Sequence, residues 1–220
     1  MNSPRAVVPL ALLAMTVVAV PAQAKSAKVK KASLSWAQTN VYVPGTTPPI
    51  QKTFAGYVAA LSKGTVTPLA GATGQTITGT SAAGVTSVYT QTFKGTKGKV
   101  DAKKLKGTVT LKGIVEFKTT QFATTVENPK LVLKGKTAQI VASGKTSNAA
   151  APTYANKTLL NLDLSKAKIT KKKTKLTVTG AVPSVATADL AFPASYAVGA
   201  GPERTPNTFG SFSFTVSLKK

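Results

Sequence analysis

The chain has 220 residues, with 29 lysines and arginines against 6 aspartates and glutamates, and it contains neither histidine nor cysteine. The missing residue types exclude zinc fingers, other Cys/His metal sites, thiol chemistry, structural disulfides and hydrolysis by a Ser-His-Asp triad. A formal net charge of +23 is combined with 42% hydrophobic residues, which indicates a folded basic protein and not a disordered polycation.

The six acidic residues are scattered singly along the chain. The two that are closest in sequence, Glu116 and Glu127, are eleven positions apart. Paired-carboxylate catalysis and local calcium loops both need acids close together. We therefore expect a protein that is not an enzyme, with surface acids that balance neighbouring lysines.

The N-terminus has the pattern of an export signal. Arg5 precedes an apolar stretch over residues 6–20, and Ala22 and Ala24 form an Ala-x-Ala cleavage site. The stretch is shorter than the roughly 20 residues of a membrane-spanning helix. We predict a signal peptide over residues 1–24 and a secreted or wall-associated domain over residues 25–220, with no transmembrane segment. That domain would carry 28 basic and 6 acidic residues, a net charge of +22.

The rest of the chain alternates apolar and polar residues with a period of two, which is typical of half-buried strands. The clearest runs end on Leu164, Val182 and Leu218. Their apolar members are Leu160, Leu162 and Leu164; Leu176, Val178 and Val182; and Phe212, Phe214, Val216 and Leu218. We predict ten to thirteen strands in a single large all-β domain, an antiparallel sandwich or flattened barrel.

Several features interrupt the strand pattern. Gly113 predicts a bulge or a close backbone approach. Residues 127–130 predict a turn, the lysines at 171–173 a solvated hairpin tip, and residues 43–49 and 143–156 loops. We expect five aromatic residues to belong to the core: Trp36, Phe117, Phe122, Phe212 and Phe214.

The basic residues of the predicted secreted domain are lysines with one exception, Arg204. Bidentate recognition of guanine or phosphate is a property of arginine, whereas lysine acts as a point charge. The composition therefore favours a general attraction to anions, such as cell-wall polymers, over specific binding of nucleic acid.

A series of short segments resembles the Htaa domain of actinobacterial secreted and surface proteins. The resemblance covers about residues 32–218. The segments, in chain order, are Leu34-Ser-Trp36, Thr53-Phe-Ala-Gly-Tyr57, Gly64-Thr-Val-Thr67, Gly71-Ala-Thr73, Gly107-Thr-Val-Thr-Leu-Lys-Gly113, Val126-Glu-Asn-Pro-Lys-Leu-Val132, Leu160-Asn-Leu-Asp-Leu-Ser165 and Ser195-Tyr-Ala-Val-Gly199.

The resemblance implies a non-enzymatic domain that binds haem for iron acquisition and exchanges it with a haem-carrying protein. In the family a tyrosine coordinates the haem iron, and the matching residue is Tyr57, with Thr53 at the hydroxyl position four residues earlier. A second family tyrosine matches Tyr196. The family histidine that supports the iron ligand falls on Ile114, so this chain departs from the pattern there. The alternative is an adhesive envelope module with the same fold, which has lost haem binding and binds anionic wall polymers.

Overall fold

The computed structural model describes residues 26–42, 53–81, 84–147, 152–186, 191–192 and 209–219. Twelve strands make up most of this part of the chain. They are β1 (Ala27–Tyr42), β2 (Thr65–Leu69), β3 (Thr73–Ser81), β4 (Gly84–Asp101), β5 (Lys106–Lys112), β6 (Ile114–Lys118), β7 (Ala123–Lys134), β8 (Thr137–Lys145), β9 (Thr153–Asp163), β10 (Lys168–Lys172), β11 (Lys175–Val185) and β12 (Ser211–Leu218). The predicted signal peptide and the loop at 43–49 lie outside the described residues.

Helix is confined to residues 54–61 within the described ranges. A three-residue α1 (Phe54–Gly56) continues directly into a π-helical turn (Tyr57–Leu61). We call the two together the helical segment. At eight residues it is much shorter than a membrane span, and no described helix is long and apolar enough to cross a bilayer.

Eight of the strands close into an antiparallel barrel. Their order is β7-β5-β4-β1-β12-β11-β9-β8, and β8 returns to β7 through pairs such as Leu131 with Ile140. The other four strands extend the barrel wall: β6 pairs with β7 and β2 with β6, while β3 pairs with β4 and β10 with β11. The all-β antiparallel prediction is confirmed, and of the two expected forms, a sandwich or a flattened barrel, the structure adopts a barrel.

Strand alternation explains how the barrel is filled. In β12 every second residue is buried, from Phe212 to Leu218, and the residues between them are partly exposed. Trp36 on β1 lies at the centre, where its ring stacks on Phe212 at 5.2 Å between centroids, and its indole N–H donates to the Phe209 carbonyl. Of the five aromatic residues predicted for the core, four are buried and Phe122 is partly buried.

Gly113 behaves as the sequence predicts. It separates β5 from β6 with a φ of +123°, and a Cβ added there would lie 2.5 Å from the Ala72 nitrogen.

The predicted turn at residues 127–130 is wrong, because these residues belong to the continuous strand β7. Asn128 adopts a positive φ of 44°, and the register with β8 shifts between Glu127 and Lys130. A bulge therefore stands where a turn was expected, opposite the break at Gly113.

Two other expectations need correction. Val182 does not share the buried face of Leu176 and Val178, because Gly180, at a φ of +79°, shifts the register and turns Ala181 inward instead. The predicted loop at residues 143–156 is strand at both of its ends, since β8 runs to Lys145 and β9 begins at Thr153, while residues 148–151 lie outside the described part. The lysine hairpin tip is confirmed, with Lys172 paired to Lys175.

Candidate functional site

The helical segment carries Tyr57 and is fixed at its N-terminus by two side chains. Thr53 is the N-cap, and its hydroxyl oxygen accepts a hydrogen bond from the Gly56 N–H at 3.3 Å. The Ala55 N–H donates to Gln38 Oε1 on β1 at 2.9 Å. These bonds satisfy donors that a helix start leaves free, so β1 holds the segment in place.

Gly56 brings the segment into direct contact with β1. A Cβ added to Gly56 would lie 2.6 to 2.8 Å from the Cγ, Oδ1 and Cβ atoms of Asn40. The absence of a side chain at position 56 therefore allows the backbone next to Tyr57 to approach the barrel wall.

An aromatic cluster lies under the segment. Phe54 is fully buried, and its ring contacts Phe117, Phe192 and Phe209 at 5.0, 5.3 and 6.0 Å between centroids. Phe192 and Phe209 are themselves 4.7 Å apart. In sequence they are the described residues on either side of 193–208, and both contact Phe54.

Tyr57 lies at the solvent side of this cluster. Its ring is partly buried and runs parallel to that of Phe122, at 6.3 Å between centroids and 1° between planes. The π-helical turn closes with a hydrogen bond from the Ser62 N–H to the Tyr57 carbonyl at 2.9 Å. Single π-helical turns are frequent at functional sites.

Two lysines lie near the C-terminal end of the segment. Lys63 is two residues beyond Leu61 and is exposed, as is Lys118 at the end of β6. The backbones of Gly64 and Lys118 are in contact here, since a Cβ on Gly64 would lie 2.1 Å from the Lys118 carbonyl oxygen. Two exposed lysines therefore lie in the chain near the C-terminal end of the segment that carries Tyr57.

Three buried amides lie on the barrel wall behind the segment, and the sequence analysis missed them. Gln38, Asn40 and Gln91 are at most 4% exposed, and Gln38 Nε2, Asn40 Oδ1 and Gln91 Oε1 have no hydrogen-bond partner among the described atoms. The signal was available in the strand alternation, because Gln38 and Asn40 follow Leu34 and Trp36 at inward positions. Polar residues at these inward positions indicate that β1 makes polar contacts, and not apolar packing, where it meets the helical segment.

Within the described residues, the cavity inside the barrel is too small for a large ligand. The enclosed cavity beside Trp36 measures about 10 Å³ and is lined by apolar side chains, including Phe93, Ile140 and Leu160. That volume is at the lower limit for a single water. The described residues also contain no group of three His, Cys, Asp or Glu side chains that could hold a metal ion. Among the described residues, space for a large ligand is therefore found at the surface and not in this cavity.

The structure brings together two of the three predicted site residues. Thr53 caps the segment on which Tyr57 stands, and its hydroxyl is engaged with Gly56. Tyr196 lies outside the described residues. Ile114 lies on the opposite face of β6 from Phe117, because the two are three positions apart on one strand.

Comparison with known proteins identifies a family and similar solved structures. The family described as Htaa matches residues 49–203. The C-terminal domain of HtaA from Corynebacterium glutamicum superposes with a TM-score of 0.53 at 18% identity, covering 88% of this chain and 100% of that domain. Its N-terminal domain gives 0.52 at 17% identity, covering 87% and 99%. No curated protein matches the sequence.

Proposed function

Because the chain belongs to the Htaa family, we propose that it is a non-enzymatic haem-binding or haem-relay domain of the cell envelope. The observation that carries the proposal is the placement of Tyr57. It is a partly buried tyrosine in the helical segment that Thr53 caps, it stacks on Phe122, and exposed Lys63 follows the end of that segment.

The residues around Tyr57 fit haem chemically. A tyrosine oxygen is a known axial ligand of haem iron. Phe122 is partly buried and offers a flat apolar ring of the kind that lines cofactor sites, and the buried Phe54 ring stacks on it from inside. Lys63 and Lys118 supply cations for the haem propionates. Haem is the cargo here, and the chain's own part is to bind and orient it.

The other predicted contacts have more limited roles. Thr53 acts through the position of Tyr57, because its hydroxyl caps the segment. Tyr196 remains a predicted second contact. No histidine is available anywhere in the chain to support the iron ligand. Loss of such a supporting residue typically weakens metal binding by about 10–100-fold, so we expect moderate affinity and a protein suited to passing haem on.

The proposal includes the setting in which the domain works. The predicted signal peptide and the Htaa family both favour a secreted or wall-associated protein. Its partner would be haem itself or a haem-carrying protein of the same envelope.

Titration with ferric haem tests the proposal. The protein and its Tyr57→Phe variant are titrated while the Soret band is followed. The expected result is a Soret shift that saturates at one equivalent and weakens about tenfold or more in the variant, equivalent to about 1.4 kcal/mol. Tyr154→Phe is the matched control, because the Tyr154 hydroxyl is buried and donates to the Thr125 carbonyl.

The control separates the role of Tyr57 from a general loss of a phenol. Tyr154→Phe should bind haem as the unaltered protein does. The proposal fails if no saturable Soret shift occurs, or if Tyr57→Phe and Tyr154→Phe bind equally well while circular dichroism shows both folded.

A further inference from the structure

A second surface, far from Tyr57, combines depth with positive charge. It is an open groove of about 1110 Å³ over the ends of β1, β4 and β5 and the C-terminal end of β12. Five lysines line it, and we call it the lysine groove: Lys28, Lys97, Lys99, Lys106 and Lys219.

Strand register concentrates these lysines on one face. Lys28 on β1 lies directly opposite Lys99 on β4, and Lys97 is two residues before Lys99 on the same face. On the side of β1 away from β4, the backbone N–H of Lys219 donates a hydrogen bond to the Lys28 carbonyl at 2.8 Å. Side chains at such positions are separated by about 5 to 7 Å along and across the strands.

Two glycines shape the floor of the groove. Gly98 and Gly107 have φ values of +142° and +134°, and a Cβ on either would lie 2.2 Å from a backbone oxygen of the neighbouring strand. The register of β4 against β5 also shifts between Lys94 and Lys97. A bulge and two side-chain-free positions bend the ribbon, which makes the outer wall of the barrel concave at this point.

The described part of the chain offsets little of the positive charge in the groove. Five lysines line it with a single acid, Asp101, which lies opposite Lys106 in the strand register. Asp101 is mostly buried, and its carboxylate accepts a hydrogen bond from the Lys104 N–H at 2.9 Å. Like charges directly opposite across a strand pair are destabilising, so an anion between them would relieve the repulsion.

We propose that the lysine groove binds a linear phosphate polymer. Phosphate is an anion that lysine binds as a point charge, without the bidentate geometry of arginine. An open groove with cations repeated every few ångströms suits a chain with repeated charges better than a single small anion, which would need convergent donors around it. Lysine contacts to a backbone of phosphates carry no sequence information, so the site would be general for that polymer.

The inference goes beyond haem binding and does not depend on it. Lys28 and Gln38 are ten residues apart on β1, which corresponds to roughly 33 Å along an extended strand. The groove and the helical segment thus occupy opposite ends of β1. Variants in the groove should leave haem titration unchanged, and Tyr57→Phe should leave polymer binding unchanged.

The test compares two triple variants that remove the same charge. One changes Lys28, Lys99 and Lys106 to Gln within the groove. The control changes Lys168, Lys172 and Lys173 to Gln on the exposed β10–β11 hairpin. Binding of long-chain inorganic polyphosphate is measured by fluorescence anisotropy between 50 and 300 mM NaCl, with polyglutamate and phosphatidylglycerol vesicles as comparison ligands.

The groove triple should weaken polyphosphate binding about tenfold or more at 50 mM NaCl. It should also reduce the slope of log affinity against log salt by about 3, one for each lost phosphate contact. The hairpin triple should change neither quantity appreciably. Equal loss in both triples overturns the groove in favour of a diffuse field. Polyglutamate or vesicle binding that is as tight as polyphosphate binding and equally sensitive to the groove triple overturns the choice of a phosphate polymer.

Discussion

Tyr154 is the buried residue whose titration bears most directly on stability. It lies on β9, and its hydroxyl donates to the Thr125 carbonyl. Burial raises the pKa of Tyr154 well above its ordinary value, and the nearby Glu127 carboxylate raises this pKa further. The folded protein therefore retains a proton that the unfolded chain loses near pH 10.

This raised pKa makes stability depend on alkaline pH. The contribution of Tyr154 is fully present below about pH 10 and is lost as the pH rises above that value, because only the unfolded chain then gains from ionisation. We expect the unaltered protein to lose about 1.4 kcal/mol more unfolding free energy than Tyr154→Phe between pH 9 and pH 11. Urea unfolding of both proteins at pH 9 and pH 11 measures this difference in unfolding free energy. Lysine titration is common to both and cancels, so parallel pH curves would contradict the prediction.

At the scale of elements, the contact between the helical segment and β1 is the most sensitive junction. Ala is intrinsically better than Gly in a helix by about 1 kcal/mol. At position 56, however, the added Cβ would overlap three atoms of Asn40. We expect Gly56→Ala to lower the unfolding free energy by about 1–3 kcal/mol, as overpacking does in cores. Thermal or urea unfolding gives the measurement.

Two comparisons isolate the steric origin of that loss. Gly79→Ala is the matched control, because no atom lies within 4 Å of a Cβ added there, and its effect should stay within about 0.5 kcal/mol. In an Asn40→Gly background, the loss of unfolding free energy caused by Gly56→Ala should be smaller, and a double-mutant cycle measures the difference. A loss that is the same in both backgrounds would rule out the Asn40 contact as its cause.

The same scale shows how far sequence patterns reach. Alternation predicted β12 and the Leu160–Leu162 part of β9, because each strand there has one buried face. It did not predict the bulge at Asn128 or the phase change at Gly180. Both irregularities depend on which strands pair with β7 and with β11. β7, for example, changes partner from β6 to β5 between Glu127 and Lys130. Turn-forming residues show that the chain bends locally, but only the pairing partners decide whether the strand ends.

The candidate site was predictable in its residue types and not in its construction. Thr53 and Tyr57 were found through a family resemblance, and the structure places them on one helical segment. The contribution of Gln38 and Asn40 depends on contacts across about 17 sequence positions, such as the Ala55 to Gln38 hydrogen bond. No local pattern near Tyr57 indicates those partners.

At the scale of the whole molecule, the sheet places lysines directly opposite one another in several strand pairs. The directly opposed pairs are Lys28 with Lys99, Lys94 with Lys112, Lys106 with Lys134, and Lys172 with Lys175. Such pairs weaken a sheet, and a net charge of +23 adds general self-repulsion. Stability should therefore rise with salt, as the Debye length falls from about 30 Å at 0.01 M to about 8 Å at 0.15 M.

The arrangement allows stability and polymer binding to be separated at one residue. Lys99→Glu would turn the Lys28–Lys99 repulsion into an attraction, and we expect it to raise the unfolding free energy by about 0.2–1 kcal/mol at 0.01 M salt. The same change should weaken polyphosphate binding, because it places a carboxylate in the lysine groove. Lys168→Glu is the control: it makes the same charge change opposite the neutral Thr179 and should stabilise less. If Lys99→Glu lowered the thermal midpoint at low salt, the opposed lysines would not be a source of strain. If it raised the midpoint and reduced affinity together, the chain would be shown to keep a destabilising charge pair where that pair serves binding.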